Sequence, residues 1–333
     1  MISFERIDMN NDTWDKIKSV GQCNIFQTPW WINFLKETQR AEPIITEIKS
    51  NGSVLGYFTG LVVRKFGLKI LGSPFRGWAT YFMGFNLFPG TQYREILEAF
   101  PSFVFNDLGC HYLEIVDPNL NSEDCVGLPY KIETLPWFAI DLTKSEEELL
   151  SNMKSAGRNC IRKSIKNGVV IEDAPVTGFA EEYYAQYSEV LSNRSLLPTY
   201  TVDNVAKLIN QLLPTENLLL LRAMGPDGGC IATGIFLGYN KAAVFWGAAS
   251  RRLYQSLRPN EPLAWDGITD MKTRGYQVLH LGGECEEYKR KLGCYDLPML
   301  RLMKEKYSLL GTLLDIFRKF RSSKYKNWAL RRL

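Results

Sequence analysis

Alternating and helical hydrophobic patterns change places twice along this chain. At the start, Ile2 to Ile7 predicts a short strand, and Gln27 to Thr38, carrying Trp30, Trp31 and Phe34, predicts a helix. Strand patterns then dominate. IITEIKS, an Asn51-Gly52 turn and VLGYFTGLVVRK form a hairpin signal, because the central residues of a tight hairpin turn need positive φ. FGLKILG supplies a further strand. A helix from Tyr93 to Phe105 leads into the strand HYLEIVD, which ends in the turn chemistry of Asp117-Pro118-Asn119. After a loop from Asn119 to Pro129, YKIETLPWFAIDL reads as one strand crossing into a second half.

The second half is punctuated more clearly. Ser145 caps a helix with Glu146, Glu147 and Glu148 in its first turn, where the helix dipole favours acids, and the pattern runs to Lys166 before Asn167-Gly168. Helices follow over Phe179 to Ser192 and Val202 to Leu213. LLLLRAM, CIATGIFLG and AAVFWGAA then predict an antiparallel meander. The loop SRRLYQSLRPNEP leads to a helix from Pro262 to Arg274, and YQVLHLGG is a buried strand. The first half follows a looser version of the same order, which predicts a structural duplication in a mixed α/β (α+β) chain. The expected boundaries are 1–142, 143–310 and a basic terminal helix over 311–333.

Length supports two units, since 333 residues exceed one ordinary core. At 45% hydrophobic and 23% charged residues the composition is that of a globular protein. The longest apolar stretches are too short for a spanning helix, and the start lacks the features of a secretory signal, so an intracellular chain is expected. Seven scattered cysteines without a CxxC pair fit reduced thiols. The net charge of +4 is uneven: from Phe317 onward there are seven basic residues and no acid, which leaves −3 on the preceding body.

Three constellations carry candidate chemistry. Arg251, Arg252 and Arg258 lie between a strand and a helix N-terminus, where free amides and guanidinium groups favour a phosphate-bearing cofactor or substrate; a solvated surface loop is the alternative. Lys154, Arg158, Arg162 and Lys166 recur every four residues and form a basic row suited to a polyanion or to plain solvent exposure. LGGECEEYKRKLG places Glu284, Glu286 and Lys289 directly after a buried strand, where α/β proteins commonly build their sites.

Tyr288-Lys289-Arg290-Lys291-Leu292-Gly293 resembles the aromatic-Lys-x-x-aromatic-Gly motif of Fem-type peptidyltransferases and the related GNAT-like acyltransferases of bacterial cell-envelope and exopolysaccharide synthesis. The Phe26-Gln27 to Trp31 opening, the Ile140 to Leu142 strand with its following helix, and AVFWGAAS agree in order, so the resemblance spans nearly the whole chain. It implies two GNAT-like domains, each a mixed, mostly antiparallel sheet flanked by helices, facing each other across a substrate cleft. The implied reaction moves an acyl or aminoacyl group onto an amine of an envelope or exopolysaccharide precursor. Lys289 resembles the family lysine that neutralises charge at the reaction centre, Arg194 the arginine that meets the acceptor's phosphate, Tyr200 lies in the same segment, and Lys36 resembles an N-terminal acceptor-binding lysine.

The implied donor is acyl-CoA or aminoacyl-tRNA, used as a substrate with no tightly bound cofactor. The GNAT pyrophosphate signature Q/R-x-x-G-x-G/A is absent, and so is the long helical hairpin of some tRNA-using members. In such a reaction Lys289 would stabilise the developing oxyanion, and Glu284, Glu286 or a substrate phosphate would take the amine proton. No metal is expected, because His280, Cys285 and Cys294 lack a standard zinc spacing. Trp78 is a candidate for stacking on a sugar. The basic, aromatic-interleaved tail suits peripheral contact with the inner face of a membrane and a lipid- or nucleotide-linked acceptor. A noncatalytic module for anionic lipid or nucleic acid is the competing reading; it accounts for the basic row and tail but not for the polar run around Lys289.

Overall fold

The computed structural model describes residues 1–65, 67–75 and 79–307. They form two compact units, each with its own sheet: unit 1 comprises 1–21, 39–134 and the chain from Leu300, and unit 2 comprises 22–38 and 135–299.

The chain opens with β1 (Ile2–Arg6) and α1 (Asn11–Ser19), whose first turn is closed by the Asn10 side chain accepting from the Thr13 amide. A single 3-10 turn, Ile25–Gln27, precedes α2 (Pro29–Gln39), with proline at the position where no amide is needed. β2 (Glu42–Ser50) and β3 (Ser53–Lys65) form the expected hairpin, with Asn51 at φ 49° and Gly52 at φ 82°. β4 (Leu68–Ser73) and β5 (Gly84–Leu87) both pair with β3. α3 (Tyr93–Ser102) passes into a π-helical turn over Phe103–Asp107 and delivers the chain to β6 (Tyr112–Asp117), parallel to β4. The core of this unit centres on Phe100, whose ring lies 4.6 Å from Phe58 and 5.2 Å from Phe85; burying each such ring is worth about 1.5–3 kcal/mol.

The crossing segment is two strands rather than one. β7 (Lys131–Leu135) belongs to the first sheet and β8 (Phe138–Asp141) to the second, divided at Pro136, which has no amide to continue a ladder. The Ser145 capping box forms as expected, but its helix ends early. α4 (Glu146–Asn152) is separated from α5 (Ser155–Lys166) by Met153 and Lys154, at ψ 141° and 148°. The Lys154 amide donates to the Lys291 carbonyl at 3.1 Å, a tertiary bond that local pattern does not encode.

Unit 2 continues with β9 (Val170–Asp173), α6 (Phe179–Ser192) and α7 (Val202–Leu212). The predicted meander is β10 (Leu218–Met224), β11 (Cys230–Tyr239) and β12 (Ala242–Ser250), antiparallel throughout. Alternation along β11 sets its two layers: Thr233 bonds Gln186 of α6, while Gly234 abuts Leu263 of α8 (Asn260–Thr273) from the other face. β13 (Val278–Gly282), α9 (Glu286–Lys291) and β14 (Tyr295–Asp296) complete the unit, whose strand order is β14-β8-β13-β12-β11-β10-β9. β15 (Met299–Glu305) then returns to the first sheet beside β6, giving β1-β2-β3-β4-β6-β15-β7 with β5 attached to β3.

The α/β (α+β) class expected from sequence therefore holds, with two mixed sheets flanked by helices. Neither unit is contiguous, in contrast to the expected single boundary at 142/143. The segment 22–38 packs with unit 2, where Asn240 Nδ2 donates to the Cys23 carbonyl at 2.6 Å and Gln211 Nε2 to Glu37 at 3.1 Å. Trp78 and the tail over 311–333 lie outside the described residues.

Candidate active site

The second sheet has an opening at its centre. β12 and β13 run parallel, but their pairing covers only Ala242 to Val244 against Val278 to His280. From Phe245 to Ser250, β12 is paired with β11 on its other side. Gly247 is half-buried and Ala248 exposed along this stretch. A strand edge of this kind offers backbone donors and acceptors to an extended, amide-bearing ligand. A bulge at Trp246 sharpens the departure, since Phe245 faces Phe236 and Gly247 faces Ile235 in β11.

Lys289 stands beside the end of β13. α9 carries it back over Gly282, where an added Cβ would lie 3.3 Å from its Nζ, and its ammonium is 5.8 Å from the Phe138 ring centroid. The residue is only 8% exposed. No hydrogen bond or ion pair holds its Nζ among the described residues. Burial pulls its pKa down to about 8, against the opposing influence of Cys285, Glu284 and Cys294. Gly282, at φ 83°, supplies the tight turn out of β13. A cation left in a dry setting without an acceptor costs free energy, so it is poised to meet negative charge brought by a ligand.

Arg194 reaches the same region, its Nη1 lying 3.7 Å from Cys285 Sγ just before α9. The structure thus brings Arg194 together with the segment that carries Lys289. Tyr200 belongs to an aromatic group that the sequence did not single out as a site. It stacks on Tyr187 at 4.7 Å, meets Trp246 at 5.3 Å, and shares a 2.7 Å hydroxyl contact with Tyr183. The signal was present as Phe179, Tyr183 and Tyr187, each four residues apart on one helix. A side chain at Gly247 would place its Cβ 2.3 Å from the Tyr183 hydroxyl, so glycine is needed for α6 to approach β12.

The other candidates are engaged differently. Glu284 is exposed next to Lys289, whereas Glu286 pairs with Arg290 at 2.7 Å, and Arg290 also pairs with Asp296. Arg158 donates to the carbonyls of Leu150, Ser151 and Met153, so its guanidinium closes the end of α4. Arg162 is exposed and bonds Asn159 at 3.1 Å. Lys36 is exposed on α2. Arg251 pairs with Glu189 at 3.6 Å, Arg252 donates its side chain to Asn193, and Arg258 sits exposed in a left-handed turn at φ 61°. The first turn of α8 contains the buried Glu261, which places an acid where a bound anion would otherwise be drawn.

His280 is buried beneath this site and accepts from Trp137 Nε1 at 3.2 Å on Nδ1, and burial lowers its pKa to about 4. It is therefore neutral, with Nδ1 already occupied. Among the described residues no group of three or more His, Cys, Asp or Glu side chains is placed to hold a metal ion.

A splayed parallel pair within a mostly antiparallel sheet, with helices on both faces, agrees with a GNAT-like fold for unit 2. Residues 151–290 match the family described as the Acetyltransferase (GNAT) domain, and the chain is an acyltransferase. The Fem-type resemblance holds at the level of fold. The crystal structure of FemX aligns over 93% of this chain and 99% of its own, with 12% identity and a TM-score of 0.70. A tandem GNAT protein from the clavulanic acid biosynthesis pathway aligns over 92% and 98%, with 11% identity and a TM-score of 0.56. The C-terminal domain of a putative lysylphosphatidylglycerol synthetase from Agrobacterium fabrum aligns over 93% and 97%, with 10% identity and a TM-score of 0.57. No curated protein matches the chain by sequence. No helix among the described residues is long and apolar enough to cross a membrane.

Proposed function

We propose that this protein transfers an acyl or aminoacyl group onto an amine of an anionic envelope or exopolysaccharide precursor, at the inner face of a membrane. The observation that carries this reading is the buried ammonium of Lys289, without a hydrogen-bond or ion-pair partner among the described residues, at the end of β13 where β12 has parted from it. The donor lies along the edge of β12 with its carbonyl toward Lys289. The acceptor amine attacks the ester or thioester carbon, negative charge grows on the carbonyl oxygen, and the ammonium stabilises it. Collapse of the tetrahedral intermediate expels the alkoxide or thiolate. Glu284, exposed beside Lys289, takes the amine proton; Glu286 is less available because Arg290 holds it. Arg194 and Tyr200 meet the phosphate-bearing part of the acceptor.

Aminoacyl-tRNA is the first donor in this reading and acyl-CoA the second. The buried Glu261 in the first turn of α8, together with the missing Gly-rich signature, disfavours a pyrophosphate at that helix. The FemX and lysylphosphatidylglycerol synthetase folds support aminoacyl or acyl transfer as the reaction class. The test is transfer from each labelled donor to an amine-bearing, nucleotide-linked precursor, in parent and Lys289→Ala protein. Loss of transfer in the variant with donor binding retained is the expected result, and undiminished turnover would remove Lys289 from the reaction.

A further inference from the structure

Unit 2 exposes three leucines on two segments that are tied together. Leu253 is 82% exposed, Leu197 55% and Leu196 46%. One exposed leucine is ordinary on a protein surface, but these lie on two segments that are both hydrogen-bonded to the end of α6. Leu253 lies on a 3-10 turn, Arg252–Leu257, which hangs from the end of α6: the Arg252 amide donates to Glu189 at 2.8 Å and its Nη1 to Asn193 at 3.3 Å. Just beyond Asn193 the chain closes α6 with the Arg194 and Leu196 amides both donating to the Leu191 carbonyl at 2.9 Å, and Ser195 takes φ 55°. That turn fixes Leu196 and Leu197 outward. Arg251, Arg252 and Arg258 rim the same 3-10 turn, and among the described residues Glu189 forms a side-chain ion pair with Arg251 but not with Arg252 or Arg258.

We infer that this face of unit 2 docks on an anionic lipid bilayer, with Leu196, Leu197 and Leu253 entering the boundary between head groups and acyl chains. Arg252 and Arg258 meet lipid phosphates there. Apolar side chains flanked by guanidinium groups match such an interface in both layers, and arginine forks phosphates while losing little hydration. Arg194 leaves the same turn toward Cys285, the residue before α9, so a docked bilayer brings lipid-borne groups close to the Lys289 segment. The segments 193–200 and 251–258 are distinct in sequence from the basic tail, and the inference does not depend on the acyl-transfer reading.

The experiment uses the full-length chain with vesicles of phosphatidylglycerol and phosphatidylcholine, or of phosphatidylcholine alone, read by flotation and by amide hydrogen exchange. Flotation with the anionic vesicles is expected, weakened by salt, with slowed exchange over 193–200 and 251–258. The double variant Leu197→Ser/Leu253→Ser should bind about tenfold more weakly and lose that slowing, while keeping the melting temperature of the parent. The inference fails if the chain does not float, if it floats while both segments exchange as they do without lipid, or if the variant binds like the parent. Slowing that appears with rising protein concentration in the absence of lipid would also overturn it, by assigning the leucines to a protein interface. These readouts need no turnover, so their failure is distinct from failure of the transfer assay.

Discussion

The two units treat buried charge in opposite ways. In unit 1, Arg301 on β15 lies 3.0 Å from Glu114 on β6 and 3.1 Å from Glu133 on β7, so one guanidinium holds three strands. Asp117 at the end of β6 accepts from the Phe85 and Asn119 amides. In unit 2, Lys289 is buried with no such acceptor among the described residues. The parallel strand pairs differ in the same sense. β4 stays paired with β6 to its last residue, Ser73, whereas β12 leaves β13 after three residues. Unit 1 thus pairs its buried guanidinium and keeps its parallel strands together, where unit 2 leaves its buried ammonium without an ion-pair partner among the described residues and lets its parallel strands part. The family match falls within unit 2.

Substitutions can test that division. Arg301→Ala removes the guanidinium shared by two carboxylates, one of them deeply buried, and should cost about 3–5 kcal/mol of stability in denaturant melts without changing kcat of the folded fraction. Lys289→Ala should do the reverse, lowering kcat about 10²–10³-fold with the melt little changed. Since the charged form is the active one, the parent rate should also lose the lysine's contribution as pH rises through about 8. Lys289→Met removes the desolvation cost and should raise stability by about 1–3 kcal/mol at pH 7. The folded lysine sheds its proton near 8 and the unfolded one near 10.5, so the parent gains stability across that window and the advantage of methionine shrinks. The smallest effect is Ser145→Ala, which breaks the capping box of α4 for about 1 kcal/mol, measurable as a shift in melting temperature. Equal responses of the two units to removal of their buried cations would erase the contrast.

Local chemistry was legible in the sequence wherever it decided the outcome alone. Asn51-Gly52 specified its hairpin, Ser145 and Glu148 their cap, and the alternation of β10 to β12 the meander. What escaped was decided by distant partners. Met153 and Lys154 look helical, yet the Lys291 carbonyl captures the Lys154 amide and Gly157 sits where an added Cβ would be 2.6 Å from that same carbonyl. Arg158 looked like a ligand-binding cation because sequence shows its period on α5 and not the carbonyls of α4 that it closes. The site was half legible: the polar run after β13 pointed to Lys289, but nothing local shows that β12 and β13 part, or that Tyr200 stacks on Tyr187.

The interleaving of the two units also bears on how the protein is made. Unit 1 lacks the strand between β6 and β7 until residues 299–305 have emerged from the ribosome. Unit 2, although its sheet begins only at residue 138, recruits a helical segment synthesised about a hundred residues earlier. The nascent chain must therefore hold an eight-stranded sheet with a gap in it while the other unit is translated. Folding that waits on such distant pairings is slow and exposes unpaired strands, so this architecture calls for protection during synthesis to an extent that two consecutive domains would not.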